Sequence, residues 1–110
     1  MQNNSQTNTF DQNLADEIVK RLQKISPLQI FLFGSQVTGT TSEDSDIDLM
    51  VIKETVTSHL KESIEARKLL RGLGRAFDLI VSTPEEFDFY RNQVNSVHHA
   101  VAHYGRRLYG

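Results

Sequence analysis

The chain has 110 residues, 38% hydrophobic and 24% charged, with a formal net charge of −2 at pH 7. One soluble globular domain with a modest core follows, small enough that a partner or second subunit would complete a two-substrate cleft, and its charge offers no extended surface for nucleic acid. No cysteine is present and no apolar run approaches the roughly 20 residues of a membrane span, which excludes a thiolate metal site and a membrane helix, and with no secretory signal at Met1 to Thr9 a cytoplasmic protein is expected.

Met1 to Thr9 is rich in Asn, Gln, Ser and Thr and reads as a disordered tail, leaving residues 10–110 for the domain. Phe10, Leu14, Ile18, Leu22 and Ile25 recur at helical spacing and Ser26-Pro27 stops that helix. Leu28 to Phe33 is a predicted strand, too apolar to face solvent. Gly34 to Gly39 turns away from it, and Thr40 to Ser45 is a polar loop. Asp46 to Ile52 is the second strand. A helix is predicted over about Val56 to Leu73, with Val56, Leu60, Ile64 and Leu70 on one side and Gly72 and Gly74 ending it. Ala76 to Val81 is the third strand. Thr83-Pro84-Glu85-Glu86 is a helix start with a cap, a proline at the first position and a capping-box glutamate. Helical segments continue to Tyr104 with a break near Asn92 to Ser96, and Arg106 to Tyr109 forms a short last strand. The Gly34 to Ser45 connection is too short for a full crossover helix, so the expected architecture is α+β, a central mixed sheet flanked by helices.

Three aspartates interrupt apolar strands: Asp46 and Asp48 at the start of Leu49-Met50-Val51-Ile52, and Asp78 within Phe77-Asp78-Leu79-Ile80-Val81. Burying carboxylates is costly unless a cation or a hydrogen-bonding partner compensates. Side chains alternate along a strand, so Asp46 and Asp48 point the same way, their Cβ atoms about 6.5–7 Å apart. If the third strand neighbours the second, Asp78 joins them. An all-oxygen set of this kind favours Mg²⁺ or Mn²⁺, and two-metal phosphoryl-transfer sites hold their ions about 3.5–4 Å apart. Gly34-Ser35 supplies the complement, a glycine that lets backbone approach a ligand and donors for phosphate oxygens. The competing reading is a solvated acidic turn beside a common loop dipeptide. At ordinary residue usage, this combination at one fixed spacing arises by chance in roughly one chain per thousand of this length, and its strand setting favours a site.

Gly34-Ser35, ten residues, then Asp46-x-Asp48 resembles the Gly-Ser-x10-Asp-x-Asp motif of the polymerase-beta-like nucleotidyltransferases, and the length is similar to that of the minimal nucleotidyltransferases. Asp78 in Phe-Asp-Leu-Ile-Val resembles their third catalytic carboxylate, and Gly105 to Gly110 is similar to their terminal segment. The resemblance covers about residues 10–110 and implies the polymerase-beta-like nucleotidyltransferase fold. It implies that Asp46 and Asp48 hold two Mg²⁺ ions (Mn²⁺ being the alternative) against the triphosphate of ATP. By the same resemblance Asp78 binds one of them and helps deprotonate an acceptor hydroxyl, while Gly34 and Ser35 hold the β and γ phosphates. Minimal members pair with a HEPN-domain toxin and transfer AMP to its tyrosine, so the resemblance implies a HEPN partner and an antitoxin role. This chain departs at Gln36 and Thr38, where many relatives carry basic residues, which lowers the positive charge near the phosphates. Two alternatives are a non-catalytic antitoxin that occludes its partner and nucleotidylation of a small molecule, for which no acceptor-holding domain is present.

Other residues read as follows. His99 and His103 share a helix face and are expected at the surface. Arg106 and Arg107 are expected to be a solvated pair, with contact to a nucleotide or partner as the alternative. Phe87, Phe89 and Tyr90 are expected in the core, with partner docking next.

Overall fold

A computed structural model describes residues 12–34 and 46–110 of the chain. Helix α1 spans Gln12–Leu22 and runs into a 3₁₀ turn, Gln23–Ile25. Strands β1 (Gln29–Phe33) and β2 (Ile47–Ile52) follow, then α2 (His59–Lys68), β3 (Phe77–Ser82), α3 (Pro84–Tyr90), α4 (Val97–Tyr104) and β4 (Arg106–Tyr109). The sheet order is β3-β2-β1-β4. β1 pairs antiparallel with β2 and β4, whereas β2 and β3 are parallel. The sheet is therefore mixed and the fold α+β. Among the described residues no helix is long and apolar enough to cross a membrane.

The two faces of the sheet are covered by different helices. Ile30, Leu32, Ile47, Leu49, Val51, Leu79 and Val81 point to one face and bury against Ala15, Ile18 and Leu22 of α1 and against Ala66 and Leu70. The other face is smaller: Met50, Ile52 and Val101 are buried there with Phe31, Phe33, Phe87 and Val97 beside them. Central strand β2 thus buries both its sides beyond Asp48, which is why its sequence is continuously apolar rather than alternating. The Phe87 ring of α3 lies stacked on Phe31 of β1, centroids 5.7 Å apart.

Caps set the lengths of the later helices. Thr83 accepts from the Glu86 amide while the Glu86 side chain accepts from the Thr83 amide, with Pro84 at the first turn, as the sequence predicts. Ser96 caps α4 and also donates to the Tyr90 carbonyl at 2.7 Å, which fixes the turn between α3 and α4.

Helix α2 corrects an expectation. It begins at His59, because Ser58 caps it and Glu62 reaches back to the amides of Thr57 and Ser58, and it ends at Lys68 rather than continuing to Leu73. Leu60 is 73% exposed and Ile64 is exposed too; the residue α2 buries is Ala66. Its close seat on the sheet edge comes from Ser63, whose hydroxyl accepts the Val81 amide of β3 at 3.2 Å. Val56 and Leu70 do pack on the core, from positions flanking the helix.

Candidate active site

Strand register brings four of the sequence-predicted site residues to one end of the sheet. β1 ends there, at Phe33 and Gly34, while β2 and β3 begin there. Phe33 stands opposite Asp48, and Asp48 stands opposite Asp78 on the parallel neighbour. Directly opposed residues share a face, and neighbouring strands lie about 4.8 Å apart. Asp46 immediately precedes β2, two residues before Asp48. Among the described residues, Phe87 of α3 and Val97 and Val101 of α4 pack on this face against Met50 and Ile52, and Asp46 and Asp78 are exposed.

Gly34 makes the arrangement sterically possible. Its φ is +79°, in the left-handed region that favours glycine, and a Cβ built on it would overlap the Asp48 carboxylate. A backbone without a side chain therefore lies against the central carboxylate. Ser35, Gln36, Thr38 and Asp44 lie outside the described residues, as do the predicted turn and loop to which they belong.

The apolar runs around the three carboxylates do not make all of them buried. Asp46 and Asp78 are exposed and only Asp48 is half-buried, because the row sits at the strand ends beyond the reach of α3 and α4. Burial raises the pKa of Asp48 above the usual carboxylate value, and the charges of Asp78 and Asp46 raise it further. The charges of Asp46 and Asp78 are thus both felt at Asp48. Among the described residues no three acidic or histidine side chains are gathered closely enough to enclose a metal ion. The donor chemistry is all-oxygen and negative, which suits a hard divalent cation, and the missing Cβ at Gly34 leaves room beside Asp48.

Sequence reasoning missed a polar chain at the opposite end of β3. Buried Ser82 donates to Glu86 at 3.0 Å, and its oxygen lies 2.8 Å from His98 Nε2. Glu86 also binds His59 of α2 at 2.8 Å. Burial pushes the Glu86 carboxyl up, but His59, Ser82 and the Thr83 amide together hold it below its ordinary value. This chain ties α2, α3 and α4 to the end of β3. The capping-box pattern revealed Glu86; nothing local marked His98, which is brought to Ser82 by tertiary packing.

His99 and His103 do lie together, ring centroids 4.1 Å apart. Phe87 packs as expected, whereas Phe89 and Tyr90 are exposed and pair with each other at 4.9 Å.

Comparison with known proteins places this geometry. Residues 14–101 match the nucleotidyltransferase domain family. No curated protein matches the chain. Among solved structures, a toxin–antitoxin with AMP-PNP is 25% identical with a TM-score of 0.64, over 87% of this chain and 73% of that one. A mutant of the toxin–antitoxin MntA-HpeT is 23% identical with a TM-score of 0.63, over the same shares. A tri-AMPylated Shewanella oneidensis HEPN toxin in complex with MNT antitoxin gives 22% identity and a TM-score of 0.59, over 90% of this chain and 71% of that one. The last two likenesses show the polymerase-beta-like fold alone.

Proposed function

Because the chain belongs to the nucleotidyltransferase domain family, we propose that it transfers AMP from ATP to a hydroxyl, that of a tyrosine on a cognate HEPN-domain toxin, and so serves as the antitoxin. The observation that carries this reading is the row formed by Asp48 and Asp78, with Asp46 beside it and Gly34 against it. Similarity to a toxin–antitoxin with AMP-PNP supports the nucleotide, and the AMPylated HEPN complex suggests the acceptor.

Asp46, Asp48 and Asp78 would hold Mg²⁺, or Mn²⁺ in its place. Bound there, the metal supplies positive charge against the triphosphate and its pyrophosphate leaving group. Gly34 lets the chain's backbone approach the phosphates, and Ser35, next in sequence, would donate to them. Asp78 is on the outermost strand and exposed, which supports its being within reach of an acceptor. Its carboxylate would take the proton of the acceptor hydroxyl as that oxygen bonds to the α-phosphorus and the bond to pyrophosphate breaks. The open end of the sheet favours a protein acceptor, since a docked protein can itself exclude water from the site.

The test is the intact mass of the HEPN partner after incubation with this protein, ATP and Mg²⁺, beside an Asp46→Ala/Asp48→Ala control. A gain of one or more AMP units, lost in the control, supports the reading. A stable complex without any mass gain replaces it with neutralisation by occlusion.

A further inference from the structure

On the same sheet face as the carboxylates, the structure has a cavity of about 380 Å³ that extends from Gln29 at the far end of β1 to Gly105. It is lined by Gln29 and Phe31 of β1, Phe87 of α3 with Arg91 just beyond that helix, and Arg107 of β4. Gln29 pairs with Ile52 while Phe33 pairs with Asp48, so the β1 residues of the lining lie about 7 Å (Phe31) to about 13 Å (Gln29) along the strand from the aspartate row at 3.3 Å per residue. The cavity's volume lies within the range of ligand pockets, and among the described residues no acidic side chain lines it.

Its chemistry is specific. The Phe31 and Phe87 rings, stacked parallel within 6°, both border the cavity and make that part of its lining aromatic. The Arg91 guanidinium lies 5.2 Å from the Phe87 ring centroid, so this cation is held in place by the ring rather than by a carboxylate. Arg107 stands opposite Phe31 on the neighbouring strand and therefore projects to the same face. Two guanidiniums and two phenyl rings, with no counter-charge among the described lining residues, suit an aromatic group that carries, or sits beside, negative charge.

The surroundings favour a protein as its bearer. Phe89 is 67% exposed and Val94 76%, with exposed Tyr90 between them and Arg91 beside it in sequence. Exposed aromatic residues clustered with arginine are the composition of interface centres, and singly bound small molecules do not require them. We propose that the cavity and the Phe89–Val94 patch form a docking site for the acceptor protein, the cavity receiving an aromatic side chain flanked by acidic residues. This deepens the function proposed above and rests on its claim that the acceptor is a protein. Docking at the cavity holds the partner on the carboxylate face while leaving the carboxylates themselves free.

The test reads binding without ATP, so that failure of docking and failure of transfer are distinguishable. The probe is a capped Asp-Glu-Tyr-Glu-Asp peptide, titrated into the ¹⁵N-labelled protein and followed by amide shifts. Its neutral counterpart, Asn-Gln-Tyr-Gln-Asn, and AMP serve as comparison ligands. Expected are shifts at residues 29–31, 87–94 and 105–107, several-fold weaker binding of the neutral peptide, and loss of binding in Arg91→Glu/Arg107→Glu. Both arginines are exposed, so the variant keeps its fold, and Arg91→Lys/Arg107→Lys should retain part of the affinity. Absence of binding overturns the proposal. So do shifts confined to residues 34, 46–48 and 78, binding untouched by charge reversal, or AMP alone filling the cavity.

Discussion

Asp48 and Asp78 stand directly opposite each other on parallel neighbouring strands, two carboxylates on one face with no turn of chain between them. Burial and this neighbour together make the charged form of Asp48 unfavourable. A fold that keeps such a pair sacrifices stability to do so, and neutralising one member should return it. Asp48→Asn is expected to melt at a higher temperature than the wild type in metal-free buffer. In Mg²⁺ the order should reverse, because a cation bound only to the folded wild type stabilises it by mass action, about 2.7 kcal/mol at a hundred times its dissociation constant. Transfer should fall by about 100-fold or more in the variant. Calorimetry with EDTA and with Mg²⁺ checks the first two statements; a variant that melts lower in both would show that Asp48 is held by compensating partners instead.

Gly34 provides the second expectation. A side chain there is opposed both by the positive φ and by the Asp48 carboxylate. Gly34→Ala should cost about 1–3 kcal/mol of stability and displace Asp48, lowering transfer as well. The two causes separate in a double-mutant cycle. If the overlap matters, Gly34→Ala costs less in an Asp48→Ala background; if only backbone strain matters, denaturant melts will show equal costs in both.

The parts of this fold that were legible in the sequence are those written in local signals. The capping box at Thr83 and Glu86 and the break before Ser96 are set by residues within a few positions of one another, and they stand where expected. The aspartate row was legible because strand alternation is strict and each apolar run was long enough to be a strand. The length of α2 was not. Its apolar spacing pointed to Leu60 and Ile64, but the helix lies on Ala66 and Ser63, and the bond from the Val81 amide to Ser63 joins residues 18 apart in sequence. The solvent exposure of Asp46 and Asp78 was equally hidden, since it depends on where α3 and α4 stop covering the sheet. The Phe31–Phe87 stack and the cavity beside it are also products of packing, although the i, i+4 spacing of Phe87 and Arg91 was available as a local hint.

Glu62 carries an acid-side expectation. Its bond to Lys53 at 2.6 Å, with the amides of Thr57 and Ser58, lowers its pKa to about 2 from the usual 4.5. A carboxylate depressed in the folded state contributes stability above its unfolded pKa and loses it as pH falls toward the folded value. The wild type should therefore lose melting temperature between pH 4.5 and 2 more steeply than Glu62→Gln. The amide retains an acceptor for the backbone but not the charge. Parallel slopes across that window would show that the Lys53 pair adds nothing beyond hydrogen bonding.

His98 carries the complementary expectation near neutrality. Burial lowers its pKa below 6.5; Glu86 opposes that shift and His59 adds to it. In the unfolded chain the imidazole takes a proton more readily than in the fold. As pH falls below about 6.5 the unfolded state therefore gains protons first, and stability that is complete above that value is progressively lost until the folded pKa is passed. The structural consequence is local, because burial disfavours the protonated ring in its place between Ser82, 2.8 Å from Nε2, and Tyr90, whose ring lies tilted at 5.2 Å. Helix α4 should loosen before the sheet does. Hydrogen exchange at pH 7 and pH 5.5 should show amide protection falling in Val97–Tyr104 while β1 and β2 change little, and His98→Gln should remove the difference between the two pH values. The carboxylate row is at the opposite end of β3 from Ser82, so the same pH step should alter transfer less than it alters α4 protection. A loss of protection spread evenly over the sheet would assign the pH response to Glu86 and the whole His59–Glu86–Ser82 chain rather than to His98.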